Sequence, residues 1–279
     1  MAKRRYGMDM AKISRFREEG RGDGHGVDYK PWLTVQDISS SGRSSRVWGW
    51  KTNRLHHFFS DHETRLFLLY QWFDAVTDIR EQFPLDQERT LAIAESMGIA
   101  HPAEPTTRTP IVMTTDFLLD LTIAGRSCLI ARAVKPSSEL SKPRVIEKLE
   151  LERRYWVSQG IDWGIVTEQE IPVEFARNIA WANEMRVLEP PSGMAITYWP
   201  LRSTRFLELL AMQPALSILG FLKRLEMNEG FAAHEGLTVL RHLIAHKSVI
   251  MDMSRKLEMV GSLSQLTVQT SGIVSRRSA

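Results

Sequence analysis

A chain of 279 residues is long enough to bury a full core and to divide into two domains. Its 43% hydrophobic and 25% charged residues suit a globular protein, and no run of about 18 apolar residues is present to span a membrane. The net charge of +3 is uneven: residues 1–59 hold 12 Lys/Arg against 6 Asp/Glu, which suggests contacts with a nucleic-acid backbone, although a solvated basic arm fits as well.

In chain order, Met8–Glu19 has the pattern of a short helix ended by Gly20. Residues 21–52 are rich in Gly, Ser and isolated tryptophans, with one strand expected at Trp32–Ile38. Ser60 opens a helix whose stripe runs through Leu66, Phe67, Tyr70 and Phe73. A strand at Val76–Phe83 and a helix at Asp86–Met97 follow. Ile111–Leu121 and Ser127–Val134 read as paired strands across the turn Ala124-Gly125-Arg126. Pro143–Gln159 is a strong helix that ends at Gly160, and Asp162–Val166 is another strand. This order predicts an α/β fold, a mixed sheet flanked by helices. From about residue 169 the pattern is helical, at Val173–Met185, Phe206–Met212, Ala215–Met227 and Glu235–His246, with a strand at Ser248–Met253. A small, mainly helical, winged-helix-like domain over residues 169–279 is expected after a first domain over 1–168, with a disordered tail beyond Ser271.

Cys128 is the one cysteine, which excludes an internal disulfide framework and a multi-cysteine zinc site. Met1-Ala2-Lys3-Arg4-Arg5 is basic without an apolar stretch behind it, so no secretory signal and a cytoplasmic location are expected. His242 and His246 have helical spacing but lack the glutamate of a His-Glu-x-x-His motif.

Three charged residues stand where apolar ones belong. Asp116 lies inside the apolar strand Ile111–Leu121, Lys135 ends the next one, and Glu63 falls in line with Phe59, Phe67 and Tyr70 on the preceding helix. A strand carboxylate, a neighbouring strand lysine and a helix carboxylate form a set that can bind Mg2+ and activate water beside a phosphodiester. Each has a structural alternative. Ser60-x-x-Glu63 matches a capping box, and Lys135 can simply pair with Asp116. Glu152 falls in the inward row of its helix with Val145, Leu149 and Trp156, and fits either a site acid or a partner for a buried arginine.

The residues Arg21-Gly22-Asp23-Gly24-His25-Gly26, Pro31–Gln36, Ser41-Gly42-Arg43-Ser44, His56-His57 and Ser60-Asp61-x-Glu63 occur in that order. They continue as Asp78-Ile79-Arg80-Glu81-Gln82-Phe83-Pro84-Leu85, Val134-Lys135-Pro136 and Glu147–Trp156. Over residues 15–168 this series resembles the TnsA transposon endonuclease family. The resemblance implies a restriction-endonuclease-like catalytic domain followed by a winged-helix-like one. It also implies a Mg2+-dependent cut, by one or two ions with Mn2+ able to substitute, at the 5′ ends of a transposon in double-stranded DNA. The implied partners are the transposase TnsB and, through the C-terminal domain, the AAA+ regulator TnsC. Glu63, Asp116 and Lys135 would be catalytic, with Glu152 a further acid; Glu63, Asp116 and the Val134 carbonyl would hold metal. Arg21, His25, Arg43, Arg46, Lys51, Arg54 and His57 are the expected DNA contacts. One departure stands out: the family pattern has Gln where this chain has Ala133, which has no side-chain ligand to offer. A free-standing nuclease with the same site, or a non-catalytic adaptor, are the rival readings.

Overall fold

The computed structural model describes residues 7–37, 42–212 and 215–269; the basic start, Ile38, Ser41 and the tail beyond Ser271 lie outside them. The chain forms two compact units, Met1–Ile171 and Pro172–Ala279.

The first unit opens with α1 (Met10–Glu18), capped by Asp9, whose carboxylate accepts from Lys12 N at 2.8 Å. Its buried face, Ile13 and Phe16, meets Trp32 edge-on with ring centroids 5.3 Å apart. The strand expected at Trp32–Ile38 does not form over its described residues. Asp37 Oδ2 accepts from Thr34 N at 2.8 Å and from the Thr34 hydroxyl at 2.6 Å, and this side-chain competition with the backbone closes a turn instead. A hairpin follows that the sequence patterns did not disclose: β1 (Ser45–Gly49) pairs antiparallel with β2 (Arg54–Phe58). The link uses Asn53 at φ 53°, a left-handed position that asparagine tolerates.

Helix α2 (Asp61–Trp72) leads to β3 (Val76–Pro84), and α3 (Gln87–Ser96) to β4 (Thr114–Ile123) and β5 (Arg126–Val134). The β4–β5 turn places Ala124 and Gly125 at φ 49° and 76°, the left-handed pair of a tight hairpin. Helix α4 (Pro143–Val157) then crosses over to β6 (Asp162–Val166). The sheet order is β3-β4-β5-β6, antiparallel except for the parallel β5–β6 pair that α4 connects. On one side Leu118 and Ala131 pack against Leu151, Tyr155 and Trp156 of α4. On the other, Phe117 packs on Phe58 and on Tyr70 of α2. This is the restriction-endonuclease-like mixed sheet that the resemblance implied.

One buried charge locks the hairpin to the sheet. Glu81 is fully buried and accepts from both arms of the Arg54 guanidinium at 2.9 and 2.5 Å, from His56 Nδ1 at 2.8 Å and from His57 N at 3.2 Å. Burial alone would raise the proton affinity of this carboxyl, but His56 and Arg54 outweigh it and hold Glu81 far below the usual carboxylate range.

In the second unit, α5 (Val173–Asn183), α6 (Tyr198–Ala211), α7 (Ile218–Asn228) and α8 (Glu235–Ala245) precede a short ribbon, β7 (Val249–Ile250) with β8 (Thr267–Val268). Phe206 and Phe221 meet edge-on at 5.2 Å over a core that includes Val239 and Leu240 of α8. Helix α6 begins before the expected Phe206 because Pro200 falls in its first turn, where no backbone N–H is needed. The His242 and His246 rings each bond a backbone carbonyl, of Met185 and Arg186, both at 2.9 Å.

Truncating Glu81 leaves Arg54 and His56 buried without their acceptor. Glu81→Ala should lower the unfolding free energy of the first unit by about 3–5 kcal/mol. Arg153→Ala, which removes an exposed ion pair with Glu150, should cost less than about 1 kcal/mol. Urea denaturation of the full chain measures both.

Candidate active site

The site begins where β4 and β5 part. Their last rung is Phe117↔Arg132. One residue earlier on β4, the Asp116 carboxylate takes over the backbone's role, and its Oδ2 accepts from Val134 N at 2.7 Å. The same oxygen accepts from Lys135 Nζ at 2.9 Å, and that ammonium also donates to the Val134 carbonyl at 2.8 Å. Lys135 N bonds Val166 O at 3.1 Å, so β6 carries the end of β5 past the point where β4 leaves. Burial disfavours the charge on Lys135, yet Asp116 beside it more than compensates and lifts its proton affinity above the ordinary lysine value.

Glu63 comes from α2 and is buried. Its Oε1 accepts from the Ser60 hydroxyl at 2.8 Å and its Oε2 from Phe59 N at 3.1 Å, while Ser60 Oγ accepts from Glu63 N at 3.2 Å. Ser60 therefore caps the helix, but the Glu63 carboxylate bonds Phe59 N, one residue ahead of the cap, and the Ser60 hydroxyl, in place of the cap's own N–H that a capping box would use. Burial, then the nearby negative charge of Asp116, raise Glu63 to about 7.

Glu152 reaches the same region from α4. Its Oε1 accepts from Trp163 Nε1 at 3.0 Å and from the Thr115 hydroxyl, which in turn accepts from Trp156 Nε1 at 2.8 Å. No arginine pairs with it among the described residues; neutral donors hold it instead. Burial, then Asp116, raise it to about 7 as well. Ala133, the position that departs from the family pattern, is fully buried.

This donor set fits a hard divalent cation. Asp116, Glu63 and the Val134 carbonyl offer oxygen alone, which suits Mg2+. Two carboxyls whose proton affinity is raised, first by burial and then by the charge of Asp116, are groups whose ionised form a cation would favour. The Lys135 ammonium already bridges Asp116 and Val134 O, a position of the kind a cation takes. A second group, His25, Asp78 and Asp120, brings possible ligand atoms within 4.8 Å of one another. Arg80 already serves it, with NH2 2.7 Å from Asp120 Oδ2 and Nε 3.8 Å from Asp78 Oδ2.

The expected DNA contacts separate into two groups. Arg54 is consumed by Glu81 and buried. Arg21 is a clamp, donating to Glu19, to Trp32 O and to Asp37 at 2.7, 3.0 and 2.6 Å, with its guanidinium 3.6 Å from the Phe16 ring centroid. Arg43, Arg46 and His25 are exposed. Lys51 donates to Phe73 O at 2.6 Å, and His57 Nδ1 lies 3.5 Å from Val35 N. Sequence patterns missed Thr115 and Trp163 as the donors that hold Glu152, and Gln82, whose Nε2 lies 3.5 Å from Asp116 Oδ1. These are neutral residues that blend into apolar strands, and only the pairing of the strands distinguishes them.

Residues 73–168 match the TnsA-like endonuclease N-terminal family and residues 170–253 the TnsA endonuclease C-terminal family. The chain belongs to the TnsA endonuclease family. It is 44% identical over 201 residues, 72% of each chain, to the transposon Tn7 transposition protein TnsA of Escherichia coli. The N-terminal family match contains Gln82, Asp116, Lys135 and Glu152, whereas Glu63 lies ahead of it. As a TnsA-family member the chain is a transposition endonuclease. Among the described residues no helix is long and apolar enough to cross a membrane.

Glu63 and Glu152 stand near 7 in the folded chain against an ordinary value of 4.5. A raised carboxyl favours folding below its unfolded value and loses that contribution as pH climbs through the folded one. Without divalent metal, the thermal midpoint of this TnsA-family chain should therefore fall from about pH 5 to about pH 8. Glu63→Gln and Glu152→Gln should each flatten the decline, and added Mg2+ should raise the midpoint most at the alkaline end. Thermal denaturation across that pH range tests both effects.

Proposed function

We propose that this chain hydrolyses phosphodiester bonds in double-stranded DNA at the 5′ ends of a transposon, using one or two Mg2+ ions. The observation that carries the proposal is the Asp116 carboxylate. It is fixed by the Val134 amide and the Lys135 ammonium, with two proton-hungry carboxyls, Glu63 and Glu152, close enough to feel its charge.

Glu63, Asp116 and the Val134 carbonyl would hold the ion, and Mn2+ can substitute. Once bound, Mg2+ supplies Lewis-acid polarisation of the phosphodiester and a water acidified toward neutral pH. The remaining work falls to the side chains. Lys135 orients the attacking water and offsets the negative charge that develops on the phosphorus oxygens. The charge of Glu152 favours the protonated form of Lys135 and so helps to keep the ammonium in the site. In-line attack with the 3′ oxygen as leaving group yields a 5′-phosphate and a 3′-hydroxyl. Ala133 leaves the side-chain ligation to Glu63 and Asp116.

Arg43 and Arg46, exposed on and before β1, are the contacts we assign to the DNA backbone, with His25, Lys51 and His57 at the margin. The TnsA family resemblance supports TnsB as the partner that cuts the 3′ ends. It likewise supports contact of the second unit with the AAA+ regulator TnsC.

The chain, TnsB, TnsC, ATP, Mg2+ and end-containing DNA should together cut both strands. Asp116→Ala should reduce 5′-strand cleavage by at least about 100-fold while 3′-strand joining survives. A mutant that still cuts both strands overturns the site assignment, and cutting by the chain alone favours a free-standing nuclease. Arg43→Ala and Arg46→Ala should each lower the salt dependence of DNA binding, by about one in the slope of log affinity against log salt.

A further inference from the structure

Residues two apart on a strand normally share a face of the sheet. In β3 and β4 this rule breaks near the end of β3, well away from the register shift between Val76 and Asp78. Glu81 reaches Arg54 and His56 on the α2 side, where His56 lies 4.3 Å from the Phe67 ring. Phe83, two residues later, lies instead against Trp156 of α4, with centroids 5.8 Å apart. The neighbouring strand makes the same exchange. Phe117 packs on Phe58 and Tyr70 at 5.8 and 5.3 Å, whereas Thr115 bonds Glu152 and Trp156 of α4. The rungs Glu81↔Phe117 and Phe83↔Thr115 bracket the crossover, so the residues between them are Gln82 and Asp116.

Gln82 has the conformation such a crossover requires. Its φ is 49°, left-handed for a non-glycine residue inside a strand, and its side chain is buried. A glycine would adopt that backbone more readily, but it has no amide. The Thr114 hydroxyl donates to Gln82 Oε1 at 3.1 Å, which turns Nε2 toward Asp116 Oδ1 at 3.5 Å. Since Asp116 Oδ2 already serves Val134 N and Lys135, Oδ1 is the oxygen with capacity left for a cation. Backbone strain at a buried polar residue touching a functional carboxylate points from geometry to function.

We propose that Gln82 is the positioning residue of this site. Its left-handed backbone turns Asp116 into the gap between the two helical layers, and its amide fixes Asp116 Oδ1 for a divalent cation. The inference rests on the reading of Asp116 as a metal ligand, and the test separates the two.

The test is Mn2+ binding to the full chain, followed by electron paramagnetic resonance of the free ion, with thermal denaturation of the same samples. Wild type is compared with Asp116→Ala, Gln82→Gly and Gln82→Met. Gln82→Gly relieves the left-handed backbone but deletes a buried side chain, whereas Gln82→Met keeps the volume without the amide, so the midpoints of the two should differ from each other. Both Gln82 variants should nevertheless bind Mn2+ about tenfold more weakly, as loss of a support to a ligand does, and Asp116→Ala should lose the site. Wild-type Mn2+ affinity in both Gln82 variants, with loss in Asp116→Ala, overturns the role of Gln82 and leaves the metal reading standing. Mn2+ affinities that differ between the two Gln82 variants in step with their midpoints assign a merely structural role and also overturn it. Mn2+ binding unchanged by Asp116→Ala overturns both readings.

Discussion

The hydrogen bond from the Val134 amide to the Asp116 carboxylate is the constraint on which the site depends. It lies one step beyond the last rung between β4 and β5, where a backbone carbonyl would ordinarily accept. A side chain in that role lets two strands separate without leaving a buried amide unpaired. The gap so formed lies at the end of the sheet's two inner strands and is lined by backbone, so its geometry follows from the ladder and not from a loop. Lys135 enters the same gap because β6 continues to hold β5 after β4 has turned away.

The electrostatics follow from that geometry. Asp116 is close enough to influence both Glu63 and Glu152, and one lysine does not balance three carboxylates. A fold selected only for stability would replace such a set by apolar residues, since buried charges rarely repay their desolvation. Glu152 makes the point most directly. It is held by a tryptophan and a threonine with no cationic hydrogen-bond partner among the described residues, so its charge depends on what else occupies the site.

Much of this was legible in the sequence, for a physical reason. Asp116, Lys135, Glu63 and Glu152 each interrupt an apolar stripe, and a charge out of phase with its element can be read from spacing alone. The main sheet was legible for the same reason, because β4, β5 and the helix between β5 and β6 have clear periods. The β1–β2 hairpin was not. Its inward residues include Arg54 and His56, whose burial depends on Glu81 some 25 residues away in sequence. Arg54 and Arg21 also entered the expected DNA-binding set because charge counting cannot distinguish an exposed guanidinium from one paired within the fold. Gln82 was invisible for the opposite reason, since a neutral residue in a strand raises no alarm and φ is not written in composition.

Neighbouring residues on β3 place the two acids the proposed mechanism asks to hold metal. Glu81 fixes Arg54 and His56, hence the course of β2. The chain leaving β2 delivers Phe59 N and Ser60 to the Glu63 carboxylate, so the position of Glu63 is inherited from the buried Glu81 cluster. Gln82, next in sequence, faces Asp116 across the strand pair. The placement of the two carboxylates thus traces to adjacent residues of one strand, Glu81 just before the point where that strand exchanges faces and Gln82 at it. A displacement of β3 would move both acids together, whereas damage at either residue would move only one. For the cation site proposed here, which has fewer side-chain ligands than its family's pattern, a common origin for the remaining two acids ties their spacing to one strand.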